Sequence, residues 1–151
     1  MSRILVVDDS DTILSFVQDL LERAGHEVET SGDWVQANQI VHRSRPDLVV
    51  LDQNLGAFQG SFLVRAFRSF FGDRLPVVVI SGEDVAEAAI AAGAKAFVPK
   101  HQLREVLPTL IARLTAPGHA SGRWRIGANG GLEPLEPPSN GAPSRSGGAA
   151  P

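Results

Sequence analysis

This sequence predicts a doubly wound α/β domain, five parallel strands with helices on both faces, and three observations carry that prediction. Apolar runs at ILVV (4–7), LVVL (48–51), PVVVI (76–80) and AFVP (96–99) are nearly continuous, as strands buried on both faces are. Segments with apolar residues at helical spacing separate them, and strands alternating with helices imply a parallel sheet with right-handed crossovers. Each run closes on polar residues, Asp8-Asp9, Asp52, Ser81 and Lys100. All of these strand ends therefore fall on one rim, where open parallel sheets bind ligands.

The elements follow in order. After the first strand, Asp9 or Ser10 caps a helix carrying Ile13, Leu14, Val17, Leu20 and Leu21, which Gly25 stops. Residues 26–30 form a short edge strand whose one strong apolar residue is Val28. A second helix covers 33–43 and ends before Pro46. The Asp52 strand leads through a loop at Gly56 into a third helix, 61–71, stopped by Gly72. After the strand ending at Ser81, GEDVAEAAIAAGA predicts a short alanine-rich helix with Glu83 and Asp84 in its first turn. Leu103, Val106, Leu107, Leu110, Ile111 and Leu114 mark a final amphipathic helix, in which Pro108 is expected to introduce a kink or set the effective start.

Composition narrows the function. The chain has 151 residues, 43% apolar, and a net charge of −3 from 17 acids and 14 bases, so it shows no basic footprint for nucleic acid or anionic membrane. With no cysteine there is no disulfide framework, zinc–thiolate site or thiol nucleophile. The apolar run at 4–7 is too short for a signal peptide or a membrane span, and the expected compartment is the cytoplasm. Residues 1–115 are expected to form the folded domain. Residues 116–151 hold 8 Gly, 6 Pro, 6 Ala and 4 Ser without apolar periodicity, and read as a disordered tail that the fold can dispense with. GRWRIG around Trp124 is its one segment with the composition to dock on something; plain linker is the expected reading.

The rim carries the chemistry. Crowded carboxylates raise one another's pKa, and oxygen ligands without His or Cys favour magnesium over zinc. Lys95 and Lys100 stand against 12 arginines, so a compact ammonium at a strand end suits a point contact with a phosphoryl oxygen. Taken singly, Asp8-Asp9-Ser10 and Ser81-Gly82 are ordinary helix caps, Asp52 a turn residue and Lys100 a solvated charge. Their joint placement at successive strand ends is what sets them apart.

ILVVDDS, LVVLDQN, VVVISGED and AFVPK together resemble the receiver domain of bacterial two-component response regulators, over residues 1 to about 115. The resemblance implies a flavodoxin-like (βα)5 fold with strand order 2-1-3-4-5. It implies that Asp8 and Asp9 bind magnesium together with Asp52 and the backbone carbonyl of Asn54, and that Asp52 is the phosphoacceptor. Ser81 and Lys100 would contact the phosphoryl group, Ser81 and Phe97 would form the switch, and Gly60, eight residues after the acceptor, fits the pattern. Asn54 and Glu83 would tune hydrolysis of the 4-aspartylphosphate.

The implied partners are a sensor histidine kinase or histidine phosphotransfer protein upstream and an unspecified protein target downstream. DNA binding and membrane insertion are not expected, and the only catalysis is the protein's own phosphorylation and dephosphorylation. A phosphorylation-independent interaction module of the same fold is the alternative. Three departures stand out. Gly56 replaces a frequent proline. His101 replaces the usual proline after the lysine, and a cis bond to a non-proline costs roughly 2.5–4 kcal/mol. The stretch between Ser81 and Lys100 is short by about one helical turn, which shifts the face that relatives use to dimerise, so a monomer is expected.

Overall fold

A computed structural model of the chain describes residues 2–55, 58–116, 124–126 and 132–134. The strands of the domain are β1 (Arg3–Val7), β2 (Glu27–Ser31), β3 (Leu48–Asp52), β4 (Val77–Ser81) and β5 (Ala96–Pro99). They alternate with α1 (Asp11–Arg23), α2 (Trp34–Ser44), α3 (Gly60–Phe71), α4 (Ala86–Ala92) and α5 (Leu103–Thr115). All five strands are parallel, in the order β2-β1-β3-β4-β5. This is the predicted doubly wound fold. The Gly56 loop tip lies outside the described residues.

Alternation along each strand explains the unbroken apolar runs. Leu5, Val7, Val49, Leu51, Val77 and Val79 point into a core shared with α2, α3 and α4. Their neighbours Ile4, Val6, Leu48, Val50, Val78 and Ile80 point into a second core under α1 and α5. A strand between two helical layers has no wet face, so both of its side-chain rows are apolar.

Local chemistry sets the helix ends. Ser10, rather than Asp9, caps α1: its hydroxyl accepts from the Ile13 N–H at 3.3 Å, and Gly25, at φ 97°, takes the chain out. Asp33 caps α2 by accepting from the Gln36 N–H at 2.7 Å.

Two helix expectations need correction. Helix α4 starts only at Ala86, so Glu83 and Asp84 lie in the preceding loop and Glu87 is the acid of the first turn. Ser81 is responsible, because its Oγ accepts the Glu83 N–H at 3.0 Å and holds 82–84 as a turn. Pro108 does not mark the start of α5, which begins five residues earlier at Leu103. Leu103, Val106 and Leu107 are buried against the sheet, and that burial outweighs the one backbone bond Pro108 cannot donate.

Two further strands follow α5, β6 (Trp124–Ile126) and β7 (Leu132–Pro134). Strand β6 pairs parallel with β5 through Ala96 and Trp124, and β7 pairs antiparallel with β6, so the full sheet reads β2-β1-β3-β4-β5-β6-β7. The Trp124 N–H donates to the Lys95 carbonyl at 2.7 Å, and its ring packs against the core under α5. Apolar residues at 124 and 126 flank an arginine, an alternation that suits an outer strand. The remaining residues between 117 and 151 lie outside the described set.

Candidate functional site

The carboxyl ends of β1, β3, β4 and β5 lie on one rim, where Asp8, Asp9, Asp52 and Lys100 converge. Asp8 follows β1 and is fully buried, Asp52 ends β3 at 3% exposure, and Asp9 is exposed beside them. Carboxylate oxygens of Asp8, Asp9 and Asp52 all lie within 4.8 Å of one another.

Lys100 opens a 3-10 turn after β5 and reaches back across the rim. Its Nζ lies 3.0 Å from Asp8 Oδ2 and 3.3 Å from Asp52 Oδ1. Described peptide bonds include no cis bond, so Lys100–His101 is trans, in keeping with a non-proline at 101.

Backbone groups aim the acids. The Ser10 N–H donates to Asp8 Oδ1 at 2.8 Å, so the residue that caps α1 also orients the buried aspartate. The opposite oxygen, Oδ2, is buried and meets the Lys100 charge without a well-directed hydrogen bond. An under-satisfied buried carboxylate oxygen beside two further carboxylates fits a hard divalent cation, as the donor set does.

Charge crowding is visible in the titration of Asp52. Burial first, then the Asp8 carboxylate, push its carboxyl up from 3.8 to about 6, against the pull of Lys100 and of the Asn54 backbone N–H. Burial would lower the Lys100 ammonium. Its contacts with Asp8 and Asp52 outweigh that and raise it.

The remaining candidates lie on neighbouring elements. Ser81 is fully buried at the end of β4, whose preceding residue Ile80 is in register with Asp52. Asn54 is exposed just beyond Asp52, in a two-residue ladder with Gln59. Phe97, on β5, is 7% exposed and packs with the α2–α4 core, while also lining a groove beside the 82–84 loop.

Gly60 sits under β3. A Cβ there would lie 2.5 Å from the Asp52 carbonyl oxygen and 2.9 Å from the Gln53 Cα, so α3 approaches the end of β3 more closely than any other residue allows. Two contributions to the site escape a sequence reading. The Ser10 amide has no side-chain signature, and the reason for Gly60 is a contact between elements.

Comparison with known proteins agrees with this geometry. The family model of the response regulator receiver domain matches residues 4–112. Response regulator MprA of Mycobacterium leprae is 36% identical over 125 residues, covering 79% of this chain and 54% of MprA. Transcriptional regulatory protein PrrA of Mycobacterium tuberculosis is 35% identical over 117 residues, covering 76% and 48%. The chain thus spans about half the length of these curated relatives.

Among solved structures, a response regulator receiver domain protein from Clostridium thermocellum superposes with a TM-score of 0.71 at 25% identity, covering 76% of this chain and 94% of that one. Chemotaxis response regulator CheY4 of Vibrio cholerae superposes at 0.64 with 28% identity, covering 74% and 98%. An acid cluster bridged by a lysine, built on this strand order and matched by that model over most of the chain, leaves one assignment: the chain belongs to the response regulator receiver domain family.

Proposed function

We propose that this chain works as the receiver of a response regulator in the cytoplasm, with Asp52 accepting a phosphoryl group from a sensor histidine kinase or a histidine phosphotransfer protein. The observation that carries this reading is the Lys100 ammonium spanning Asp8 and Asp52 at 3.0 and 3.3 Å. An Asp52 oxygen attacks phosphorus in line, the P–N bond to the donor imidazole breaks, and its electron pair leaves with the imidazole.

Lys100 pairs with a phosphoryl oxygen from its place beside Asp52. Ser81 accepts the Glu83 N–H, which leaves its hydroxyl proton to donate to another oxygen. Asp8, Asp9 and Asp52, with the Asn54 backbone carbonyl, would hold magnesium. When bound, it supplies neutralisation of the charge that develops on the phosphoryl oxygens.

Phe97 is the switch element, placed at the groove beside the loop that Ser81 holds. Asn54 and Glu83, both exposed at the rim, tune the attack of water on the acyl phosphate. Output passes through protein contacts or through draining phosphoryl groups from the kinase, a reading the net charge of −3 supports over DNA contact. Strand β6 lies against the β5 edge, which supports a monomer.

Incubation with a small phosphodonor and magnesium is expected to label the chain with an acid-stable, base-labile phosphoryl group, and Asp52→Asn to reduce labelling to background. Labelling of that variant at the unsubstituted level would refute the assignment. Magnesium itself is expected to raise the melting temperature by mass action, the gain in unfolding free energy being about 2.7 kcal/mol at a hundredfold excess over its Kd. Asp9→Ala removes most of that gain while leaving the metal-free melting temperature nearly unchanged, because Asp9 is exposed. A melting curve indifferent to both magnesium and chelator rejects the metal site.

A further inference from the structure

Strand β6 lies beyond the matched receiver segment, which ends at residue 112, and it is seated on an edge that any extended polypeptide could use. We infer that the outer edge of β5 is a docking edge for an extended segment with a tryptophan anchor, which the chain's own Trp124–Ile126 strand keeps closed in cis.

The hold on that edge has three parts. The Trp124 N–H donates to the Lys95 carbonyl at 2.7 Å, Ala96 and Trp124 stand in register, and the Arg113 guanidinium of α5 lies 5.3 Å from the centre of the indole ring. Backbone pairing supplies affinity without demanding sequence, and the anchor supplies selectivity, as in other cases of strand addition to a sheet edge. Trp124 also forms one wall of a cavity of about 570 Å³ whose other walls include Phe97, Ile90, Pro99 and Glu83. Space beside the ring allows an incoming aromatic to enter before the resident one leaves.

The seat is incomplete, which fits a cap that comes off. Among the described residues one register pair joins β6 to β5, against four between β4 and β5. The indole Nε1 is buried and has no acceptor among the described residues. A partner strand that extends the ladder along β5 therefore displaces Trp124. The matching partner is an extended segment with an aromatic anchor and a neighbouring basic residue, the pattern of WRI itself.

The test uses the full-length chain and a fluorescently labelled synthetic peptide of residues 121–135, followed by anisotropy. The peptide is expected to bind Trp124→Ala at least tenfold more tightly than the unsubstituted chain. A peptide with alanine in place of tryptophan is expected to bind neither. Equal binding to both proteins, or to neither, overturns the inference. So does a dimer of the unsubstituted chain in light scattering, since a second copy would then supply the strand.

Hydrogen exchange on the unsubstituted chain gives a reading that does not depend on the variant folding. The Trp124 amide should exchange more slowly than an unprotected amide and faster than those of Val49–Leu51. Exchange as slow as β3 makes the strand a permanent part of the sheet and refutes a displaceable cap. Exchange at the unprotected rate refutes the seat.

Discussion

Lys100→Met is expected to destabilise the metal-free domain by about 2–3 kcal/mol at pH 8 and by much less at pH 4. The lysine is the only cation within ion-pair distance of both Asp8 and Asp52 among the described residues, and those two acids are 0% and 3% exposed. Removing one partner of a buried pair typically costs about 3–5 kcal/mol. The Lys100 side chain is 24% exposed, so solvent screening trims that figure.

The pH dependence follows from Asp52. Its folded pKa is raised, from 3.8 to about 6, so the native state binds the proton more tightly than the unfolded chain does. Its stabilising contribution is therefore complete below about 3.8 and is lost as pH rises through about 6. Without Lys100 the Asp52 carboxylate keeps only the Asn54 backbone N–H to offset burial and the Asp8 charge, its pKa rises further, and the deficit widens between pH 4 and 8.

Lys100 itself is raised above 10.5, so its contribution to the unsubstituted protein stays constant across that range. Urea unfolding in a chelator at pH 4 and pH 8 measures the difference. A deficit equal at both pH values would mean that the methionine disturbs packing and not charge. Phosphodonor labelling of the variant is expected to fall by at least 10²-fold, since a charge contact made in the transition state is lost.

Gly60→Ala is expected to cost about 2–3 kcal/mol of stability and to lower Asp52 labelling about 10²-fold, although position 60 carries no chemistry. The new methyl would stand 2.5 Å from the Asp52 carbonyl oxygen, a backbone atom that cannot rotate away. Either α3 moves off the sheet, opening the packing around Leu63, Val64 and Phe67, or the end of β3 shifts and carries the Asp52 carboxylate with it. Overpacking of this kind costs about 1–3 kcal/mol, and misplacing a reacting group by 1 Å costs about 10²-fold in rate. Thermal melting and initial labelling rates decide it. Unchanged values for both would show that the close approach relaxes freely.

The sequence by itself determined the fold and most of the rim. Strands buried on both faces carry apolar residues on both, so β1, β3, β4 and β5 announce themselves as unbroken runs, and the polar residues that end those runs fall on the rim at the strands' carboxyl ends. The rim positions of Asp8, Asp9, Asp52, Ser81 and Lys100 were legible on that ground, and the roles proposed for them come from the resemblance to receiver domains.

What the sequence left open depends on contacts between elements. The Ser10 amide on Asp8 and the Gly60 approach to Asp52 are backbone contacts, indifferent to the side-chain pattern that a reader of sequence uses. The first turn predicted for α4 gave way because a buried serine captured the Glu83 amide, a competition between side chain and helix that propensity does not rank. The start of α5 and the seating of Trp124 were decided by burial. Apolar surface removed from water outweighs a missing backbone bond at Pro108, and it holds a short strand from a glycine- and proline-rich stretch against β5. Surface of that kind exists only once β5 and α5 have packed together, so only the tertiary structure could decide it.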